Sequence, residues 1–425
     1  MKWLKRTAAL LLVLCLLLCN CACGNVEKGA SRGVTLHVGA ILGTGIQHGE
    51  TALIRKGMEQ AAKNLEPEKI RVQISDREKV PEDDSVQKAA QDLMGEGCTL
   101  ILSDHFGHQF HLGDLILKNR DTTFVSLFGD MAASSGLPNW YNACNDNSQS
   151  QYVAGVAAGL KLKELAADGT LTRETLPLAF DENNRVRIGF VGAFDCPAVV
   201  SAYTAFYLGV KSVYDPVDMI VEYTNSWNSE TRDAEVAQAL LDLGCVVLGQ
   251  MTDTNGATKA VSAAKKADPN LVCVTIGSQE DLTKSAPETV LVSTAEDWSV
   301  YFTTLFRAAA LHKKIPQDWC HGFDEKAVGI TGYGTACAPD TKKVCEKTAD
   351  ALARGKQQVF DCSTFTVMGQ PLTTYTQAKG LEEKECIKKI GGVTCFAEST
   401  LRSAPYFDVR IDGITELESA YTAGV

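Results

Sequence analysis

The stretch 187–213, RIGFVGAFDCPAVVSAYTAFYLGVKSV, decides how the rest of the chain is read. Its opening residues, Ile188-Gly189-Phe190-Val191-Gly192, form an apolar run too compact for a helix and broken by glycine. Such a run fits a strand covered on both faces, as in a parallel sheet. After the loop Ala193-Phe194-Asp195-Cys196-Pro197, the residues Val199, Ala202, Tyr203, Phe206 and Val210 recur about once per helical turn. Strand, loop and amphipathic helix make half of a βαβ unit. In open α/β sheets, ligands sit in the crevice outside the strand carboxyl ends. The same grammar appears at 34–41, followed by the Gly-rich loop 43–49 and a helix near 50–65. Two such units, about 150 residues apart, predict two lobes facing each other.

Between and after these units, strands are expected at 70–74, 99–103, 123–128, 219–223, 246–250, 271–276 and 290–294. Helical spacing intervenes at 86–94, 145–165, 235–242 and 257–266, and again around Trp298, Tyr301 and Phe302. The small-residue run from Tyr152 to Gly159 can pack closely against a neighbour. Regular alternation favours parallel sheets with right-handed crossovers. The expected division is a first lobe from 34–145 with about 275–325, and a second from 146–274 with about 326–425. Beyond Tyr333 the pattern loosens to one helix near 342–353 and short strand-like pieces.

With 425 residues, two lobes of ordinary size can each bury a core. A net charge of −11 without a basic run after the amino terminus argues against nucleic acid as a partner. Residues 1–23 have the form of an export signal: Lys2, Lys5 and Arg6 precede a short apolar run, Leu10 to Leu18. A small residue before Cys23, with Gly24-Asn25 after it, resembles a bacterial lipoprotein signal, and Cys23 fits best as the lipidated residue. Asn20 at the third position before it leaves Cys21 or Cys19 as alternatives. Two acyl chains at one cysteine suffice for stable anchoring. Residues 24–33 then read as a tether. Of fifteen cysteines, eleven lie beyond this segment; Cys98, Cys245 and Cys273 occupy apolar strand-like contexts and read as core residues. Six follow residue 319, where disulfides are possible without a readable pairing.

Several ordered motifs together resemble the basic membrane protein (BMP) family. They are the lipoprotein signal, Gln149-Ser150-Gln151-Tyr152-Val153-Ala154-Gly155-Val156-Ala157-Ala158-Gly159, Ile188-Gly189-Phe190-Val191-Gly192, and Trp227 to Gly244 followed by Gln250 and Asp253. Its members are substrate-binding lipoproteins of ABC importers, best known for purine nucleosides. The resemblance covers roughly 34–335. It implies a type I periplasmic-binding-protein fold, with two Rossmann-like lobes closing on a ligand and ABC permease subunits as partners. Phe106-Gly107 matches an aromatic-Gly pair after the third strand, Trp227 an aromatic near the ligand, and Asp253 an acidic position in the cleft. Where family members commonly carry an acid and an aromatic before the first helix, this chain has Gln47 and Glu50. A second family tryptophan is absent, replaced near Glu296.

Nucleoside capture needs rings against a planar base and polar side chains on its edge. The candidate ligand-binding residues are Gln47, His48, Phe106, Gly107, Asp195, Asn225, Trp227, Asp253, Gly277 and Trp298, at strand ends or helix starts. Phe106 and Trp227 either stack on ligand or plug the lobes; Asp253 is either a ribose acceptor or the head of an Asx turn. His105, His108 and His111 gather near the same region, and imidazole is a common metal ligand, yet no HExxH or Cys/His pattern accompanies them. Enzyme signatures such as GxSxG, the P-loop and GxGxxG are missing. The expected function is therefore a membrane-anchored solute receptor of an importer, with no cofactor and no catalysis. A ligand-sensing lipoprotein without a transporter and a metal-capture lipoprotein are the alternatives.

Overall fold

The computed structural model describes residues 33–419, so the signal segment and Cys23 lie outside the described residues. The chain begins with β1 (Val34–Ile41), then α1 (Gly49–Leu65), β2 (Ile70–Arg77), α2 (Ser85–Gly95), β3 (Leu100–Ser103), β4 (Thr123–Leu127) and β5 (Trp140–Asn145). It crosses through α3 (Asn147–Ala167) into β6 (Val186–Gly192), α4 (Pro197–Lys211), β7 (Val217–Tyr223), α5 (Glu230–Asp242), β8 (Val247–Met251), α6 (Gly256–Ala267), β9 (Val274–Ser278) and β10 (Val290–Glu296). It then returns through α7 (Trp298–Ala310) to β11 (Asp318–His321), and leaves again to β12 (Val328–Thr331) and α8 (Thr341–Ala353). The first sheet has the order β11-β5-β4-β3-β1-β2, all parallel. The second begins β12-β10-β9-β8-β6-β7, with β12 antiparallel.

The division between lobes differs from the expected one. The sequence pattern places residues from about 275 in the first lobe, but β9 pairs with β8, and β10 with β9, in the second sheet. The return falls at Asp297. Each lobe repeats the same strand–loop–helix grammar, so a crossing in one strand-end loop leaves no local mark.

Burial explains the composition of the organising stretch. Ile188, Phe190 and Val191 are fully buried, and Phe190 meets Phe206 with ring centroids 5.8 Å apart. The helices α3 and α4 touch backbone to backbone. A Cβ on Gly209 would lie 2.0 Å from Tyr152 O, and one on Gly155 2.1 Å from Phe206 O, so the small residues are a steric requirement. In the first lobe, Trp298, Tyr301, Phe302 and Phe306 of α7 pack with Ile54 and Met58 of α1.

The segment after α8 forms the hairpin β13 (Ile387–Ile390) and β14 (Val393–Phe396) and a last strand, β15 (Ile414–Glu416), parallel to β7. Its stacked rings, Phe360 on Phe407 at 4.2 Å, join the core of the second lobe. It also reaches the first lobe: Arg402 pairs with Asp130 at 3.0 Å, and the Ser403 N–H donates to Asp318 at 2.9 Å. All eleven described cysteines are free thiols, with Cys98, Cys245 and Cys273 buried. No described helix is long and apolar enough to cross a membrane.

Candidate ligand-binding cleft

The carboxyl ends of strands from both lobes converge around four carboxylates, Glu50, Asp104, Asp253 and Glu296. Glu50 stands in the first turn of α1, just after Gly49, whose φ of +48° is left-handed. A Cβ on Gly49 would meet Asp253 Cβ at 2.9 Å and Asn228 Oδ1 at 2.8 Å, so glycine lets the first lobe touch the second. Glu50 accepts hydrogen bonds from Trp298 Nε1 at 2.6 Å and from Gln279 Nε2 at 2.8 Å. Gln279 follows β9, so that bond spans the cleft. Asp104, after β3, accepts from Thr51 Oγ1 at 2.6 Å and from the Gly43 N–H at 2.8 Å. Glu296, at the end of β10, accepts from Asn145 Nδ2 and Asn147 Nδ2, both at 2.8 Å. Asp253 follows β8, and its backbone N–H donates to Trp227 O at 2.9 Å.

Crowding four acids into one cleft makes ionisation costly. Burial, then the charges of Glu296 and Asp253, holds the Glu50 carboxyl well above its ordinary range against the Trp298 hydrogen bond. Burial and then Glu296 push Asp253 up to about 7. Burial likewise raises Glu296, opposed by its two asparagine donors. Among the described residues no lysine or arginine ion-pairs with these four. The basic contact is His105, with Nδ1 2.8 Å from Asp104 Oδ1. Burial alone would lower the His105 pKa, but the hydrogen bond and charge of Asp104 prevail and raise it.

Rings flank the carboxylates. Trp227, half-buried, leans on Phe194 at 5.8 Å between centroids. From the first lobe, Phe128 at the end of β4 meets Trp298 edge-on at 5.4 Å. Phe128 has a φ of +61°, a strained state for a bulky residue of the kind that clusters at functional sites. Among the buried amide oxygens without a donor are Asn145 Oδ1, beside Glu296, and Gln250 Oε1, in the strand leading to Asp253.

The sequence candidates divide accordingly. Trp227 and Asp253 come together, and Trp298 reaches the cleft through its N–H although its ring is core. Gln47 and His48 are exposed, and the residue facing the second lobe is Glu50 instead. Phe106 is 46 % exposed and pairs edge-on with exposed Phe110; Gly107 packs on Glu82, so this turn docks outward on the 80–84 loop. Asp195 is exposed and ion-paired to Arg410, and Asn225 donates to Ser419 at 3.0 Å, so both serve the carboxyl-terminal segment. Gly277 is buried against Ser293 of β10. His108 bonds Val80 O at 2.9 Å, and His111 bonds Asp84 and Glu82 O at 3.2 Å, so the three histidines face separate partners. No described group of three or more His, Cys, Asp or Glu is arranged to hold a metal ion. Phe128, Phe194, Asn145 and Glu296 carried no motif; their shared signal is a strand's carboxyl end.

Two parallel-sheet lobes joined by three crossings, with polar strand ends facing across a cleft, define a type I periplasmic-binding-protein fold, the architecture of solute receptors. The chain belongs to the Bmp family, the PnrA-like ABC transporter substrate-binding proteins, which it matches over residues 53–360. A purine-binding protein of Brucella abortus (strain 2308) is 26% identical over 290 residues, covering 68% of this chain and 73% of that one. A Haloferax volcanii protein described as a candidate ABC transporter glucose-binding protein is 33% identical over 184 residues, but covers only 43% of this chain and 45% of its own. Among solved structures, an ABC transporter solute-binding protein from Aeropyrum pernix superposes with a TM-score of 0.57 at 16% identity, covering 76% of this chain and 93% of that one. One from Conexibacter woesei gives 0.54 at 17%, covering 76% and 98%. At these identities the likeness concerns the fold.

Proposed function

We propose that this chain is the capture subunit of an ABC importer, held on the outer face of the cell membrane through lipidated Cys23, and that it binds a purine nucleoside without catalysis. The observation that carries this reading is the opposition of Trp227, Asn228 and Asp253 in one lobe to Gly49 and Glu50 in the other. A ring there can stack on a base, and carboxylates can accept from ribose hydroxyls or base N–H groups. The Brucella relative's purine binding supports the same choice. Calorimetry with adenosine, guanosine and inosine should find at least one binder, with a smaller radius of gyration in solution scattering once the cleft is filled. Failure of all three with folded protein would refute the nucleoside assignment. The anchor has its own check: a diacylglyceryl mass on the peptide beginning at Cys23, which lipidation at Cys21 or Cys19 would displace.

A further inference from the structure

The donors that face the cleft carboxylates are already committed. Trp298 Nε1 and Gln279 Nε2 bond Glu50, Asn145 and Asn147 bond Glu296, and Thr51 with the Gly43 N–H bonds Asp104. Beside the Trp227 indole N–H and the Ser103 hydroxyl, what remains is acceptor capacity: the Asp253 carboxylate, Asn145 Oδ1 and Gln250 Oε1. Asn145 and Gln250 are 1 % and 2 % exposed, so their orphaned oxygens cannot be satisfied by bulk water. A guest lacking donors would leave them unpaired, and an anion would meet carboxylates with no described lysine or arginine paired to them.

Aromatic faces supply the second observation. Trp227 and Phe194 stand in the second lobe near Asp253, and Phe128 in the first, against the Trp298 whose N–H holds Glu50. Rings draw cations toward their faces, most strongly when water is excluded. Unpaired buried acceptors, excess carboxylate and rings from both lobes select one class of guest.

We propose that the preferred ligand of this cleft is a planar aromatic cation, which for a nucleoside means one whose base carries a positive charge. This rests on the cleft being the binding site and refines the nucleoside reading. The cation supplies the countercharge that Glu50, Asp253 and Glu296 lack, and its plane stacks on Trp227. His105 is hydrogen-bonded to Asp104 and its charge offsets only part of the rise at Asp253; it is not among the charges acting on Glu50 or Glu296. Phosphorylated nucleosides are excluded by the same charges.

Three probes separate the outcomes: adenosine, 1-methyladenosine, which is its cationic analogue at neutral pH, and 1-methylnicotinamide, a planar cation without ribose. The expected result is that 1-methyladenosine binds at least tenfold tighter than adenosine, and that Asp253→Asn and Glu50→Gln each shrink the ratio. Adenosine binding as tightly as its cation overturns this inference and leaves the nucleoside reading standing. Binding of 1-methylnicotinamide alone upholds the charge preference and removes the ribose. Failure of all three overturns this inference, and failure of guanosine and inosine as well overturns the nucleoside reading with it. Circular dichroism of each variant keeps loss of fold apart from loss of binding.

Discussion

Trp227→Ala and Asp253→Asn are each expected to weaken binding of the nucleoside probe about ten- to hundredfold, with the fold intact. A stacking ring contributes on the order of 1–3 kcal/mol per base, and about 1.4 kcal/mol is a factor of ten. Trp227 can be removed without a large core defect because it is half-buried and packs mainly beside Phe194. Asp253 lacks a described side-chain donor, so asparagine there disturbs no internal bond and removes only the acceptor charge. The two are not independent. The Asp253 N–H on Trp227 O ties the loops together, and the double variant should lose less than the product of the single losses. Phe106→Ala is the control: an exposed ring on the outward turn should change affinity less than twofold. Calorimetry on the four variants beside the parent protein decides it. A Phe106 effect as large as that of Trp227 would move the stacking platform to the other loop.

Phe106 and Phe128 also show where sequence reading stops. Both follow a strand of the first sheet, and each is a single aromatic beside glycine, Phe106-Gly107 and Phe128-Gly129. What separates them is backbone: Phe128 is turned by its left-handed φ toward Trp298, while Phe106 enters a helical turn docked on Glu82 and Val80. Neither feature is written in local composition. Strands were legible for the opposite reason. A parallel strand buried on both faces must be apolar without interruption, so Ile188 to Val191 shows itself in one line of sequence. Asp195 illustrates a third limit. At a strand end it reads as a ligand contact, yet its partner is Arg410, 215 positions later in a segment beyond the family match. Glu50 was visible only as a departure from the family pattern, and the contacts that give it meaning come from Gln279 and Trp298.

Raising the pH from 5 to 8 should destabilise the empty protein, and the carboxylates fix the sign. Asp253 and Glu398 are both pushed up to about 7, chiefly by burial, and burial also raises Glu50, Glu296 and Asp146. Between their ordinary values near 4 and these folded values, the native state holds protons that the unfolded chain has lost. Their contribution to stability is therefore fully present below about pH 4 and is lost as pH rises through about 7. For Asp253 alone, moving from 3.8 to about 7 corresponds to at most roughly 4 kcal/mol. Histidines add terms of both signs. His105, raised by Asp104 against burial, loses stability as pH rises through its folded value, whereas His108, lowered by burial, gains it near 6.5. Five carboxyls outweigh that opposing histidine. Glu398 accepts the Tyr406 and Phe407 N–H groups at 2.8 Å, on the carboxyl-terminal segment, whereas Asp253 faces the cleft. Glu398→Gln should flatten the decline of Tm with pH while leaving ligand affinity in place; Asp253→Asn should flatten it and weaken binding. A donating ligand, above all a cation, binds the ionised Asp253 carboxylate more strongly than the neutral acid, so its affinity should rise with pH over the interval in which the empty protein loses stability. Melting curves at four pH values, with and without ligand, test both slopes; a Tm that climbs from pH 5 to 8 in the empty protein would show that these acids are not held neutral.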